Sequence, residues 1–225
     1  MQYHIDTGLI YEKFKTDCEC PLCAIEKKVT EQFLHEFLND AVMEDDTRVK
    51  VGKTGFCDKH FDMLFKRQNK LSVALQVGTR AEKIAPLFGT VKSAGAAKKI
   101  AKEIKNAASG CVICDLVKES MTKYYKTVAQ MFAREKEFVK ILSEGKGFCF
   151  NHYAELLTYS AGAGLSTKKY LETLSGVQNR NFERIRRELK AFCDSHDYRN
   201  AYKPLGNAKN ALPHARIKFY GEKQE

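Results

Sequence analysis

The sequence predicts an all-α fold made of two copies of a helical pair. Three observations predict it. Trp is absent and only 4 Pro occur in 225 residues, while Lys, Glu, Ala and Leu are frequent, a balance that favours helices over strands. Apolar residues recur at helical spacing along several segments. A cysteine-containing pattern occurs twice at nearly constant offset, as a repeated structural unit requires.

The repeat organises the chain. Cys20-Pro21-Leu22-Cys23 is followed by Gly55-Phe56-Cys57-Asp58-Lys59-His60, and Cys111-Val112-Ile113-Cys114 by Gly147-Phe148-Cys149-Phe150-Asn151-His152. The CxxC pairs are offset by 91 residues and the GFCxxH motifs by 92, so a one-residue gap relates the halves. Flanking apolar positions also match: Phe33-Leu34 with Tyr124-Tyr125, Phe37 with Val128, Phe61 with Tyr153, Leu64 with Leu156. The expected organisation is a first module over 1–90, a linker helix over 91–110, a second module with a long helix over 111–200, and an irregular tail over 201–225, within one compact domain or several.

In the first module Leu22, Ile25, Val29, Phe33, Leu34, Phe37 and Leu38 form a helical stripe. Asn39 and Asp40 are expected to close that helix, because short polar side chains compete for backbone hydrogen bonds. A polar connector from Glu44 to Gly55 follows. A helix is then expected from near Cys57 to about Ile84, before Pro86, with Gly78 a candidate break. Ala96 to Ala108 reads as the linker helix. In the second module Ile113, Leu116, Val117, Met121, Tyr124, Val128 and Phe132 make the equivalent stripe, a connector ends with Gly145-Lys146-Gly147, and a helix starts near Cys149. Ser160 to Gly164 reads as a loop, with Ser166 a candidate cap for a helix through Tyr170, Leu174, Val177, Ile185, Leu189 and Phe192. From Tyr202 on, Pro204, Gly206 and Pro213 suggest irregular chain that Phe219 and Tyr220 dock onto the body.

The N-terminus, Met1-Gln2-Tyr3-His4-Ile5-Asp6-Thr7-Gly8, has no basic start and no apolar core of a signal peptide. No run approaches the ~18 apolar residues of a membrane span. The expectation is a cytoplasmic protein with no membrane partner. In that compartment eight cysteines suggest metal binding or redox chemistry rather than disulfides. Net charge is +10. Its richer stretches are Lys92, Lys98, Lys99, Lys102, Lys105 and Arg180, Arg184, Arg186, Arg187, Lys190, the latter interrupted by Glu183 and Glu188. Nucleic acid is one partner such charge allows; a lysine-rich solvated surface is the other account.

Thiolate and imidazole suit a tetrahedral zinc ion. CxxC supplies two sulfurs from one turn, and CxxH a sulfur and a nitrogen from the first turn of a helix, where residues three apart share a face. Gly55 and Gly147 allow a sharp bend before that turn, and Pro21 suits the first position of a helix. Helix N-termini favour thiolates. The expected ligands are Cys20, Cys23, Cys57 and His60 for one zinc ion and Cys111, Cys114, Cys149 and His152 for the other, each quartet clamping its own module.

Other readings fit less well. Haem attachment needs His directly after CxxC, where Ala24 and Asp115 stand. A thioredoxin-type site needs a βαβ setting. An iron–sulfur cluster usually takes four cysteines, and Cys18 is a candidate fourth beside the first pair. Cys18 aligns with Ser109, outside the repeat. Cys193-Asp194-Ser195-His196 is a third CxxH without a partner CxxC, read as a helix end with a buried Cys and a surface His. His4, His35 and His214 have no motif context. Four protein ligands leave no open metal position, and no HExxH, GxSxG or phosphate loop is present, so no catalytic residue is assigned. The expected function is a zinc-stabilised helical scaffold for a macromolecule or a ligand. A nucleic-acid-binding regulator and a thiol-based redox or metal sensor are the alternatives.

The paired modules, with Asp197-Tyr198-Arg199-Asn200, Leu205-Gly206-Asn207 and Ala211-Leu212-Pro213, resemble a family of bacterial proteins, common in Firmicutes-type anaerobes, known as a domain of unknown function. The resemblance spans most of the chain. It implies a bacterial origin and a similar fold, and no activity.

Overall fold

A computed structural model describes residues 5, 7–39, 42, 44–197 and 206–223, and these contain helices and no strand. The helices are α1 (Gly8–Lys15), α2 (Pro21–Leu38), α3 (Asp45–Thr54), α4 (Asp58–Phe65), α5 (Lys70–Ile84), α6 (Ala94–Ser109), α7 (Val112–Arg134), α8 (Lys136–Glu144), α9 (Phe150–Thr158), α10 (Thr167–Ser195) and α11 (Ala211–Tyr220). A run of five helices therefore occurs twice: a leading helix, a long helix opened by CxxC, a short helix, one opened by CxxH, and a closing helix. The chain divides into two compact units, Met1–Lys27 with Met121–Gln224, and Lys28–Ser120. The boundaries fall inside α2 and α7.

The first unit has a core of Ile10 and Phe14 from α1, Val128, Met131 and Phe132 from α7, Phe138 and Leu142 from α8, Leu156 from α9, and Tyr170, Leu174, Val177 and Ile185 from α10. Phe14 packs on Phe138 with ring centroids 5.2 Å apart, and Phe132 on Tyr170 at 5.1 Å. The Gln178 side chain brackets Phe148: its Oε1 accepts from the Phe148 N–H and its Nε2 donates to the Phe148 carbonyl, both at 3.0 Å.

In the second unit Leu34, Phe37, Leu38, Val51, Met63, Leu64, Val73 and Ile113 are buried. Asn69 Nδ2 donates to Leu38 O at 2.7 Å, and Gln76 Nε2 donates to Phe37 O, so α5 satisfies carbonyls that the end of α2 leaves free. Arg80 does the same for two other helices: it donates to Gly52 O, Lys53 O and Ala107 O at 2.7–2.8 Å.

Four sequence expectations are corrected. The polar connector before Gly55 is largely the helix α3, which buries only Thr47, Val51 and Gly52 and so shows almost no apolar period. The helix expected from Cys57 to Ile84 breaks after Phe65, not at Gly78. There Asn69 ends the break by accepting from the Ser72 N–H at 3.2 Å as N-cap of α5. Residues Ser160–Ser166 form a 3-10 turn with Gly164 at φ +56°. Ser166 makes no cap hydrogen bond, and the Thr167 hydroxyl instead donates to Gly164 O at 2.7 Å. The irregular tail contains α11. Pro213 lies in its first turn, where a helix has no use for the missing N–H, so the proline does not break it.

Asn39 does close α2, its Nδ2 donating to His35 O at 2.9 Å; Asp40 and Tyr202 to Pro204 lie outside the described residues. Phe219 packs on Phe150 at 5.2 Å, while Tyr220 is exposed.

Candidate metal centres

Every cysteine of the repeated motifs sits at a helix start. Cys20 precedes Pro21, the first residue of α2, and Cys111 precedes Val112, the first of α7. Cys57 and Cys149 are the N-cap residues of α4 and α9. Gly55 and Gly147 make the preceding bends at φ +74° and +80°. At Gly147 a Cβ would come within 2.9 Å of Gln178 Oε1, so both conformation and space call for glycine there.

Two groups of four side chains converge, Cys20, Cys23, Cys149 and His152 in one unit and Cys57, His60, Cys111 and Cys114 in the other, each with its ligand atoms within 4.8 Å of one another. In the first centre His152 Nδ1 lies 3.5, 3.4 and 3.2 Å from the sulfurs of Cys20, Cys23 and Cys149, and Cys23 Sγ lies 3.7 Å from Cys149 Sγ. In the second, His60 Nδ1 lies 3.3 Å from the sulfurs of Cys57, Cys111 and Cys114, and Cys57 Sγ lies 3.8 Å from Cys114 Sγ. These cysteines are free thiols, far outside S–S bonding distance. Each group can hold a metal ion.

The ligand pairing expected from sequence is corrected. Cys20 and Cys23 meet Cys149 and His152, not Cys57 and His60; Cys111 and Cys114 meet Cys57 and His60, not Cys149 and His152. Helix length explains why. The 18 residues of α2 carry the chain about 27 Å from their CxxC, whereas the 10 residues of α3, which end at the GFCxxH motif, cover about 15 Å. In the second copy, α7 with 23 residues spans about 35 Å and α8 with 9 residues about 14 Å. Each GFCxxH therefore stands at the end of a short return and joins the CxxC of the other copy. The closures are nested: the centre joining residues 57–114 lies within the stretch 20–152 closed by the other.

The protons differ between the centres. Burial works against an imidazolium at His152, but hydrogen bonds with Cys149 and Cys23, and their charge, outweigh it and raise the ring to about 10. Contacts with Cys20 and Cys23, then with His152, hold the Cys149 thiol far below its ordinary range. Burial, then contacts with Cys149 and Cys23, push Cys20 well up. Both shifts favour a thiolate on Cys149 beside an imidazolium on His152 while no metal is bound. In the second, burial with a contribution from Lys59 lowers His60 to about 4. There burial, then Cys111 and Cys57, push Cys114 up to about 12. A bound cation must displace protons from Cys20, His152 and Cys114 at neutral pH. The metal-bound chain then carries fewer protons than the free chain, so lowering the pH favours the free chain. Competition titrations at about pH 6 and about pH 8 are expected to show affinity falling on the acid side, with proton release on metal uptake.

Supporting groups surround the first centre. Glu26 Oε2 lies 3.6 Å from His152 Nε2, so a carboxylate faces the second ring nitrogen, the place where a carboxylate supports a histidine that binds metal through its other nitrogen. The Glu222 N–H donates to Cys23 Sγ at 3.4 Å, and a Cβ at Gly221, where φ is +80°, would stand 3.5 Å from that sulfur. Glu26 follows Cys23 by three residues on a helix, a spacing that makes it findable from sequence; nothing in the sequence marks Gly221 or Glu222.

The fourth donor of the first centre is His152, not Cys18, whose half-buried thiol lies 4.0 Å from Lys13 O. Cys193 is exposed, not buried as expected, and His196 Nδ1 bonds Phe192 O at 2.9 Å. Among the described residues neither belongs to a group of three or more metal-binding side chains. His35 is exposed, and His214 Nδ1 pairs with Glu188 at 2.9 Å. His4 lies outside the described residues.

Over residues 1–225 the chain matches a family described as a family of unknown function, DUF6062. The chain belongs to that family. No curated protein and no solved structure matches it. For this DUF6062 member the two Cys3His groups are therefore what carries a functional reading, together with the fact that no described helix is long and apolar enough to cross a membrane.

Proposed function

We propose that the protein binds two zinc ions at its Cys3His groups, that both ions are structural, and that the helical body they clamp is a binding scaffold for a macromolecule or a small ligand. One observation carries the metal. A tetrahedron with Zn–S of about 2.3 Å and Zn–N of about 2.0–2.1 Å has S···N edges of about 3.5 Å and S···S edges of about 3.8 Å. The two groups show S···N distances of 3.2–3.5 Å, one S···S pair in each at 3.7 and 3.8 Å, and all ligand atoms within 4.8 Å of one another. Sulfur-rich donors favour zinc over the hard cations, and four protein ligands complete its coordination, which fits a structural rather than a catalytic role. We further propose that the two five-helix runs are copies of one module that have exchanged their CxxH halves within the chain. The repeat offset and the reciprocal ligand sets support this.

Elemental analysis of the purified full chain is the test. Two zinc ions per chain are expected. Zinc sites of this type bind with roughly 10–16 kcal/mol in small peptides, as much as a domain's whole stability of about 5–15 kcal/mol. Chelation is therefore expected to abolish the cooperative melting transition. A metal-free chain whose melting temperature ignores chelator overturns the proposal.

A further inference from the structure

Resting on that zinc reading, we propose that the two centres differ in kind. The centre of Cys57, His60, Cys111 and Cys114 holds its ion firmly while reduced but is peroxide-sensitive, and Cys57 and Cys114 join in a disulfide as the ion leaves. The centre of Cys20, Cys23, Cys149 and His152 is permanent.

Access to solvent is the first ground. In the permanent centre the four ligands are 1–5% exposed, whereas Cys114 is exposed and Cys57 half-buried. Oxidation of a thiolate depends on how easily an oxidant reaches its sulfur. The two reachable sulfurs are also a close pair, 3.8 Å apart.

The second ground is a cover that the described residues place over the first centre. The helix α11 packs on α9 and α10, and the chain leaving it passes Gly221 over Cys23 and Cys149 and gives the Glu222 N–H to Cys23 Sγ. An N–H donated to a thiolate lowers its electron density and hence its reactivity. This segment follows the second copy of the module; after the first copy the chain runs instead into α6. The third ground is the carboxylate on the ligating histidine. Glu26 faces His152 Nε2, and the matching position on α7 is Val117, which cannot accept a hydrogen bond.

The chemistry balances with a hydroperoxide as oxidant. The Cys114 thiolate attacks the peroxide oxygen, the O–O bond breaks, and the leaving oxygen takes a proton as water or alcohol. Cys114 becomes a sulfenic acid and no longer a good ligand. The Cys57 thiolate attacks that sulfur and hydroxide leaves, protonated to water. Two electrons have passed from two sulfurs to the peroxide, and Cys111 and His60 alone cannot retain the ion. A thiol reductant reverses the disulfide and restores the site.

The test uses the full chain loaded with two zinc ions, hydrogen peroxide, and a chromogenic zinc chelator. Release in two phases is expected, the first at least about tenfold faster than the second, following the difference in access. Peptide mapping after the first phase is expected to show a Cys57–Cys114 disulfide, with Cys20, Cys23 and Cys149 still protected from alkylation. Glu222→Pro, which removes the N–H over Cys23, is expected to speed the second phase and leave the first unchanged. Single-phase release, no release, or a first disulfide through Cys20, Cys23 or Cys149 overturns this proposal alone. A chain that takes up no zinc overturns the zinc reading beneath it.

Discussion

A chain carrying C20A with C149A is expected to keep one tightly held zinc ion, and a chain carrying C20A with C57A to keep none. The first pair strips two ligands from one centre and leaves the other whole; the second pair takes one ligand from each. Pairing within each copy of the repeat predicts the reverse, so the two double variants separate the arrangements without a new structure. The readout is zinc retained against a strong competing chelator. Stability follows the metal. Loss of one ion removes an interaction comparable to the stability of a whole domain, so C20A/C149A is expected to lose protection from proteolysis in Met121–Gln224 while Lys28–Ser120 keeps it. Equal zinc retention in the two variants overturns the exchanged pairing.

The eight side chains that converge in two groups were legible in the sequence because the same donor types recur at the same spacing, which chance rarely supplies. Gly55 and Gly147 were legible for the same reason, and the stripes of α2 and α7 because long amphipathic helices repeat their apolar face many times. The pairing was hidden. Ligand spacing states which turns present sulfur and nitrogen, but not where a long helix delivers the chain before it turns back. The helices α3 and α8 were hidden by length: α3 offers only Val49 and Val51 to a periodicity argument, and α8 repeats its apolar pattern of Phe138, Val139, Ile141 and Leu142 only once in 9 residues. Pro213 disguised α11, since a proline in the first turn and one in a loop look alike in sequence. The cover over Cys23 depends on where α11 lands, a tertiary fact with no local signature.

That landing depends on Glu19, and E19A is expected to destabilise the zinc-loaded protein by about 3–5 kcal/mol, the usual cost of leaving buried charge unpaired. Glu19 is 6% exposed and immediately precedes Cys20. Its carboxylate accepts from Arg184 NH2 at 2.8 and 2.6 Å and pairs with Lys218 Nζ at 3.2 Å, while its backbone oxygen also accepts from Lys218. Lys218, on α11, is 1% exposed, so this carboxylate is the anion that makes its burial tolerable and holds α11 in place. Burial lowers the Lys218 ammonium below its ordinary value, with Glu19 working against that shift. A lysine whose folded value lies below 10.5 binds fewer protons folded than unfolded in the window between the two. Stability therefore rises with pH through that window. Without Glu19 the depression deepens, so the rise in E19A is expected to begin at lower pH than in the parent chain. Urea denaturation across pH measures both effects. Lys218→Met in the E19A background is expected to recover part of the loss, because the lysine then no longer requires a counter-charge. A change below about 1 kcal/mol in E19A, the range of exposed ion pairs, would mean that α11 is held over the first centre by its other contacts, such as Phe219 on Phe150 and His214 on Glu188, and not by Glu19.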